Sequence, residues 1–234
     1  MKFSITRNVS EKFPALAIGI IIATEIENTV PSPDIAALLR SEEHNVRERL
    51  HPDTFKDHPH IKTMQEIHRS FGSNPNKFPP SVQALVKRVL KGNDLPSINP
   101  LVDLYNVLSL RYVTCIGAED TDTCRGDILL TAADGGEPFT SLGETENDPP
   151  LQGELVYRDD EGIICRRLNW REGDRTKITE TTKSAVIVIE ALPPFTADQL
   201  RSCAQELAEL TQKYCHTKTR TEILTKEHPE CLIR

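Results

Sequence analysis

Residues 99–112 have the sequence NPLVDLYNVLSLRY, and this stretch marks a change in the pattern of the chain. Its apolar residues recur at helical spacing, which predicts a helix. Residues 33–92 contain three further helical patterns, whereas the residues after 112 form short apolar runs separated by turn residues. This order predicts an α+β fold with a helical first part, a β-rich body and a closing helix.

The helices on either side of this stretch are indicated by capping residues. SPDIAALLRSEEHNVRERL (32–50) begins with Ser32 and Pro33, and PPSVQALVKRVLKG (79–92) ends at Gly92. HIKTMQEIHRSF (60–71) lies between them and predicts a short helix. PFTADQLRSCAQELAELTQKYC (194–215) predicts the closing helix, with Thr196 as its cap.

Strands are predicted at both ends of the helical region. Residues 2–5 and 15–26 are apolar runs in the N-terminal part. In the later part, Asp134-Gly135-Gly136 and Asp160-Glu161-Gly162 predict two hairpins. We divide the chain into an N-terminal strand and helix segment (1–75) and a body (76–234), and we expect the two to pack as one compact unit.

The composition excludes several classes of protein. The chain has 28 basic and 35 acidic residues and a net charge of −7, which argues against indiscriminate phosphate binding, and we expect no DNA partner. The longest apolar run, FPALAIGIIIAT (13–24), is too short to span a membrane. The first residues, MKFSITRNVSEK, lack the apolar region of a signal peptide, so we expect a cytoplasmic protein whose six cysteines are free thiols.

Motifs for familiar catalytic and cofactor sites are missing. The sequence contains no GxSxG, GxGxxG or Walker motif, which disfavours a serine nucleophile and a nucleotide cradle. His60 and His68 are eight residues apart without the glutamate of an HExxH motif. We therefore expect neither a metal ion nor a cofactor.

Two segments carry more polar residues than a structural role requires. Residues 99–120 interrupt an apolar stretch with charged and amide side chains, and residues 165–179 (CRRLNWREGDRTKIT) are basic within an acidic chain. One interpretation is a solvated strand and turn with ion pairs. The other is a contact for phosphate or carboxylate next to a carboxylate that acts as general acid or base.

Four stretches carry a resemblance to a known family, namely PPSVQALVKRVL (79–90), LPSINPLVDLYNVLSL (95–110), GGEPFTSLG (135–143) and TKITETTKSAVIVIEALPP (176–194). In order and spacing the chain resembles the third-and-fourth-domain (B-three/B-four) editing module of the phenylalanyl-tRNA synthetase beta subunit, and more closely the free-standing proteins made of that module. The resemblance covers about residues 78–207. It implies a barrel-like, mostly antiparallel β body with flanking helices, and a pocket that hydrolyses a wrongly attached amino acid from tRNA.

The resemblance also implies which residues form the pocket. The family's pocket glutamate falls on Glu172, with Asp174 as the alternative. Its threonine and histidine fall on Tyr105 and Gly117, so two pocket residues differ from the family pattern. The other predicted pocket residues are Asn106, Ala118, Glu119 and Asp120.

The leading hypothesis is a trans-editing aminoacyl-tRNA deacylase, a hydrolase that acts on mischarged tRNA. Glu172 and Asn169 would organise water and the substrate amine. Because Gly117 offers no partner to a tyrosine hydroxyl, we expect a small amino acid such as Ser, Thr or Ala. The predicted tRNA-binding residues are Arg166, Arg167, Arg171, Arg175 and Lys177. The alternative is a non-catalytic module of the same fold that binds RNA or an amino acid.

Overall fold

A computed structural model describes residues 1–29 and 32–234 and has mixed α+β structure. The helices are α1 (Arg7–Lys12), α2 (Pro33–Arg49), α3 (Pro59–Ser70), α4 (Ser81–Leu90), α5 (Pro100–Tyr112) and α6 (Ala197–Cys215), with a 3₁₀ turn at Phe55–Asp57. The strands are β1 (Lys2–Ile5), β2 (Ala17–Thr24), β3 (Cys115–Asp120), β4 (Ile128–Ala132), β5 (Leu155–Arg158), β6 (Ile163–Arg166), β7 (Arg171–Glu172), β8 (Ser184–Ala191), β9 (Lys218–Leu224) and β10 (Glu230–Leu232). The predicted α+β class is confirmed.

The helix predicted within residues 99–112 is present as α5, and local contacts define its ends. The Asn99 side chain accepts a hydrogen bond from the Val102 N–H at 3.0 Å, and Pro100 occupies the first turn, where it loses no helical hydrogen bond. The helix ends at Val113, which has a left-handed backbone (φ 51°). Most of its residues are buried, so α5 forms a central support for the strands that follow.

The strands form two sheets, whose orders are β10-β1-β4-β5-β6-β7 and β3-β8-β2-β9. Among the strands of residues 1–29 and 32–234, only β1 and β4 pair in parallel, so the sheets are mostly antiparallel, as expected. The expected barrel is not formed by the described residues, because each sheet has two different edge strands and stays open. At one edge, β7 contains only two residues, too few to continue the ladder.

The N-terminal strands are integral to both sheets. β2 lies between β8 and β9, and its pairing with β8 runs from Ala17 opposite Ala191 to Thr24 opposite Ser184. β1 lies between β4 and β10. The division of the chain after residue 75 stays a prediction.

One of the two predicted hairpins is present. Asp160-Glu161-Gly162 connects β5 to β6, which pair antiparallel, and the Asp159 N–H donates to the Gly162 carbonyl at 3.0 Å. The tight hairpin predicted at Asp134-Gly135-Gly136 is wrong, because residues 133–154 form a long connection between β4 and β5. All six cysteines are free thiols. Within residues 1–29 and 32–234, no helix has the length and apolar character needed to cross a membrane.

Candidate functional site

A cavity lies between the two sheets, enclosed by β1, β4, β5, β6 and β7 on one side and by β3 and β8 on the other. About 30 Å³ of its volume is open to the centres of water molecules, which is room for about two waters. Its polar lining consists of Ser81, Glu119, Tyr157, Asn169, Glu172 and Glu190. Three carboxyl groups therefore share one small, mostly apolar space.

Glu119 of β3 and Glu172 of β7 approach each other from the two sheets. Burial and the nearby Glu172 carboxyl raise the pKa of Glu119 well above its ordinary value. Burial also raises the pKa of Glu172, whereas contacts with Glu119 and Cys165 oppose that rise. Two neighbouring carboxyls in a buried site do not both ionise readily. Burial therefore favours a state in which the two carboxyls keep at least one proton between them.

The Glu172 carboxyl occupies space that a side chain at residue 117 would need. A Cβ atom built on Gly117 would lie 2.7 Å from Glu172 Oε1, which is closer than real Cβ contacts. The Oε2 atom of Glu172 is buried and lacks a hydrogen-bond partner among the described residues. Glu172 therefore presents an oxygen to the cavity that is free to bind water or a substrate.

The third carboxyl, Glu190 of β8, is held by two donors. The Asn169 amide donates to Glu190 Oε2 at 2.7 Å, and the Tyr157 hydroxyl donates to Glu190 Oε1 at 3.0 Å. Burial raises the pKa of Glu190 to about 8, and the bonds to Asn169 and Tyr157 oppose that rise. At neutral pH this carboxyl is mostly protonated.

Asn169 also contacts His68, a fully buried residue of α3. His68 Nδ1 is 3.2 Å from the Phe78 carbonyl, and Nε2 is 3.3 Å from Asn169 Oδ1. Burial lowers the pKa of His68 to about 4, so the neutral ring has one N–H and cannot donate to both oxygens. The Asn169 side chain therefore lies between a buried neutral imidazole and the Glu190 carboxyl.

The turn between β6 and β7 positions Asn169. Arg167 and Leu168 both have left-handed backbones (φ 49° and 64°), and such conformations cost non-glycine residues of order 1 kcal/mol each. The turn is held by the Trp170 N–H, which donates to the Arg166 carbonyl at 3.1 Å. It directs Asn169 into the cavity while Trp170 stays partly exposed.

The predicted pocket residues are only partly brought together. Gly117, Ala118 and Glu119 line the cavity with Glu172 and Asn169. Tyr105 is close by, since burial and the charges of Glu172 and Glu119 raise its pKa. Asn106 is half-buried on α5 and does not line the cavity.

Two predicted acidic site residues lie outside the cavity. Asp120 accepts hydrogen bonds from the Thr182 hydroxyl at 2.7 Å and from the Asp122 N–H at 2.9 Å, so it shapes the turn after β3. Asp174 forms an ion pair with Lys177 at 2.8 Å, and that contact lowers the pKa of Asp174. Asp174, the predicted alternative to Glu172, does not line the cavity, and its role stays a prediction.

Arg166 and Arg167 of the predicted basic patch have buried side chains. Only 2% of Arg166 is exposed, and its guanidinium binds both oxygens of Glu154, at 2.8 and 2.9 Å. Arg167 lies 3.1 Å from the same carboxylate. The buried carboxylate of Glu154 therefore binds two of the predicted tRNA-binding side chains.

The remaining cations of the patch differ in their availability. Arg175 is paired with Asp159, with 2.7 and 2.9 Å contacts to its two carboxylate oxygens, and Lys177 is paired with Asp174. Arg171 is exposed and forms no ion pair within the part of the chain that the structure describes. Arg171 is therefore the member of the patch best placed to meet a phosphate.

Sequence analysis overlooked Glu190, Tyr157 and His68. Glu190 is the single charged residue of the apolar strand SAVIVIEA, and a lone carboxylate in such a strand indicates a buried, hydrogen-bonded group. Tyr157 and His68 carry no comparable signal, since each occupies an ordinary position in a strand or a helix. Among residues 1–29 and 32–234, no group of three or more His, Cys, Asp or Glu side chains is arranged to hold a metal ion.

Raising the pH from about 6.5 to about 8 should lower the free energy of unfolding. Glu190 loses its proton near its ordinary value of 4.5 when unfolded but near 8 when folded, so the folded state binds more protons and stability falls as pH rises. His68 does not contribute above its ordinary value of 6.5.

Urea unfolding at the two pH values measures this change. Glu190→Gln mimics the protonated carboxyl and should reduce the dependence on pH, leaving the part that Glu119 and Glu172 contribute in the same direction. A Glu190→Gln variant with the full wild-type dependence would contradict the prediction.

Comparisons with known proteins agree with the resemblance. A family model described as the B3/4 domain matches residues 64–216. The phenylalanine–tRNA ligase beta subunit of Fusobacterium nucleatum subsp. nucleatum is 29% identical over 126 residues, which are 54% of this chain and 15% of that subunit. An N-terminal fragment of the phenylalanyl-tRNA synthetase beta subunit from Pyrococcus horikoshii has a TM-score of 0.45 and 12% identity, covering 93% of this chain and 50% of that fragment.

Proposed function

The chain belongs to the B3/4 domain family, and on that premise we propose that it is a trans-editing deacylase that hydrolyses the ester of mischarged aminoacyl-tRNA. The matched region, residues 64–216, contains all six polar residues of the cavity lining. The match to a phenylalanine–tRNA ligase subunit supports tRNA as the partner. The match covers only 15% of that subunit, so the subunit's other activities are not proposed for this chain.

One observation carries the proposal: two neighbouring carboxyls, Glu172 and Glu119, line a cavity that admits water, and burial raises the pKa of both. Ester hydrolysis needs a base for the attacking water and a donor for the carbonyl oxygen. Carboxyl groups whose pKa values differ can divide these two tasks. The absence of a side chain at Gly117 leaves room for the Glu172 carboxyl.

The reaction then proceeds in two steps. Glu172 accepts a proton from water while the water oxygen bonds to the ester carbon, and protonated Glu119 donates a hydrogen bond to the carbonyl oxygen as negative charge develops there. The bond between that carbon and the ribose oxygen then breaks, and the ribose oxygen takes the proton from Glu172. The products are a free amino acid and a tRNA with its terminal hydroxyl restored.

The amide of Asn169 orients the substrate. It is locked between His68 and Glu190, so its orientation depends on side chains that lie away from the reacting bond. An α-ammonium group in the cavity would meet the negative potential of the glutamates, and Glu190 can ionise to pair with it, since its pKa is raised only to about 8. The aminoacyl group is thereby held by its charged end.

The size of the cavity favours a small amino acid. Space for about two water molecules suits the side chain of Ser, Thr or Ala, whereas a tyrosine ring would require the two sheets to separate. Gly117 offers no side chain to a tyrosine hydroxyl, and leaving such a hydroxyl unpaired costs about 1–3 kcal/mol.

Hydrolysis of Ser-, Thr- or Ala-charged tRNA should therefore be about 5- to 150-fold faster than hydrolysis of Tyr-charged tRNA, which corresponds to that cost. The measurement is the rate of deacylation over a panel of mischarged tRNAs, with spontaneous hydrolysis subtracted. Fastest turnover of the Tyr ester would contradict the size argument. If no ester is hydrolysed while RNA or an amino acid still binds, the protein is instead a non-catalytic module of this fold.

A further inference from the structure

Two partly exposed aromatic rings lie beside the cavity. The rings of Phe78 and Trp170 are 4.7 Å apart, centroid to centroid, and meet edge to face at 75°. Trp170 directly follows Asn169, whose carbonyl accepts a hydrogen bond from the Ser81 N–H at 3.1 Å. Asn169 and Ser81 both line the cavity, so the aromatic pair borders it.

The inner side of this pair is held firmly. The guanidinium of buried Arg167 lies 3.9 Å from the Phe78 ring centroid and 5.4 Å from that of Trp170. Arg167 is in turn paired with buried Glu154. Because the support is buried and charged, the rings keep a defined orientation. Stacking on rigid rings costs little conformational entropy.

The outer side of the pair is flanked by exposed cations. Lys77 Nζ lies 5.0 Å from the Phe78 centroid, and the Arg171 guanidinium lies 5.5 Å from the Trp170 centroid. Lys56 lies near Lys77, since its Nζ is 3.4 Å from Asn76 Oδ1. None of these three cations forms an ion pair among residues 1–29 and 32–234.

The surrounding helices are basic although the chain is acidic. Residues 55–92, which include α3 and α4, contain seven basic and two acidic residues, a net charge of +5 against −7 for the whole chain. Aromatic rings bordered by cations are the usual platform for unpaired nucleotides, because the rings stack on bases and the cations meet phosphates. This surface fits an RNA strand better than it fits an acidic peptide, which would leave the rings without a stacking partner.

We propose that Phe78 and Trp170 bind the base of the 3′-terminal nucleotide of tRNA. Lys77 and Arg171 would then contact phosphates of the single-stranded 3′ end. We take tRNA as the ligand from the proposed function, on which this subsite rests. The ester joins the amino acid to the ribose of that nucleotide, so an amino acid in the cavity places the base at its border. The subsite would then bind uncharged tRNA as well, without any chemistry.

Trp170 is the only tryptophan in the chain, so its fluorescence reports directly on this subsite. We expect saturable quenching when an uncharged tRNA acceptor minihelix with a complete single-stranded 3′ end is titrated into the protein. Removing the terminal nucleotide should weaken binding about 5- to 150-fold, the range for loss of one stacked base. Equal affinity for the two minihelices would overturn the proposal.

Variants separate stacking from folding. Trp170→Leu should weaken binding of the complete minihelix, measured by anisotropy of a labelled RNA, whereas Trp170→Phe keeps a ring and should retain most of the affinity. Tyr214→Leu is the matched control, because Tyr214 is another partly exposed ring with a cation, Lys213, at 4.6 Å. If Trp170→Leu binds as wild type does, the subsite is wrong.

The cations have a test of their own. Lys77→Gln and Arg171→Gln should each reduce the slope of log K against log salt by about 0.7, the value for one phosphate contact with a single strand. Unchanged slopes in both variants would place the phosphates elsewhere. All of these measurements use uncharged RNA, so the subsite can fail while the deacylase is active, and the deacylase can fail while the subsite binds.

Discussion

Replacing Glu172 with glutamine should reduce the deacylation rate about 10²- to 10⁴-fold, the contribution expected of a carboxylate that acts as general base. Glutamine keeps the size of the side chain beside Gly117 but cannot accept the proton of the attacking water. Glu172 is the proposed base and Glu119 the proposed proton donor, so the loss should appear in kcat rather than in the binding of uncharged tRNA. Single-turnover hydrolysis of the most reactive ester measures the change.

Asp174→Asn is the control for this variant. Asp174 lies two residues away on the same segment, is paired with Lys177 at the surface and does not line the cavity. We expect it to hydrolyse the same ester at the wild-type rate. An active Glu172→Gln together with an inactive Asp174→Asn would show that the alignment with the family is shifted by two residues.

Replacing Arg166 with methionine should lower the free energy of unfolding by about 3 kcal/mol, the lower end of the cost of breaking a buried ion pair, because Arg167 still contacts Glu154 at 3.1 Å. Arg166 is 2% exposed and Glu154 is 1% exposed. Their two hydrogen bonds are bidentate, and Arg166 also contacts Asp148 at 2.6 Å. Methionine keeps much of the apolar volume of the arginine side chain. The loss of stability therefore reflects a buried Glu154 carboxylate without its bidentate partner. Urea unfolding measures the change.

A second variant identifies the cause of that loss. Arg166→Met combined with Glu154→Gln removes the buried negative charge as well and should recover part of the stability. Arg7→Met is the matched surface control, because Arg7 and Glu11 form an exposed pair on α1 at 2.7 Å, and such pairs contribute about 1 kcal/mol or less. An Arg166→Met protein as stable as wild type, with weaker RNA binding, would return Arg166 to the tRNA-binding surface.

The helices were predictable because their signals are local. Asn99 and Pro100 begin α5, and Thr196 with Gln199 forms a capping box at the start of α6. Each signal involves residues within one turn of helix, so no tertiary contact is needed to recognise it. The strand predicted at residues 15–26 is present as Ala17–Thr24 for the same reason, since its apolar run alone indicates a buried strand.

The site was less predictable because its contacts join distant segments. Basic residues at 166 and 167 predict an exposed patch only as long as their partner, Glu154, is unknown. The arrangement of the strands in two open sheets depends on which strands pair with each other. The spacing of apolar residues along the sequence does not determine that pairing. The family resemblance supplied some of the contacts between distant segments, because it predicted Glu172, Gly117 and Glu119 in one pocket. All three residues line the cavity.

The shared space of Gly117 and Glu172 has a consequence for how such modules diverge. A side chain gained at residue 117 would collide with Glu172 Oε1, so the effect of that change depends on which residue occupies position 172. Residues in direct contact show coupling of about 0.5–3 kcal/mol, and their single effects do not add. The family pattern carries histidine at residue 117 together with the glutamate at 172, so a module that regains a side chain at 117 is expected to hold its Glu172 carboxyl in a different rotamer. The substrate preference would then change through the position of a carboxyl that is itself unaltered.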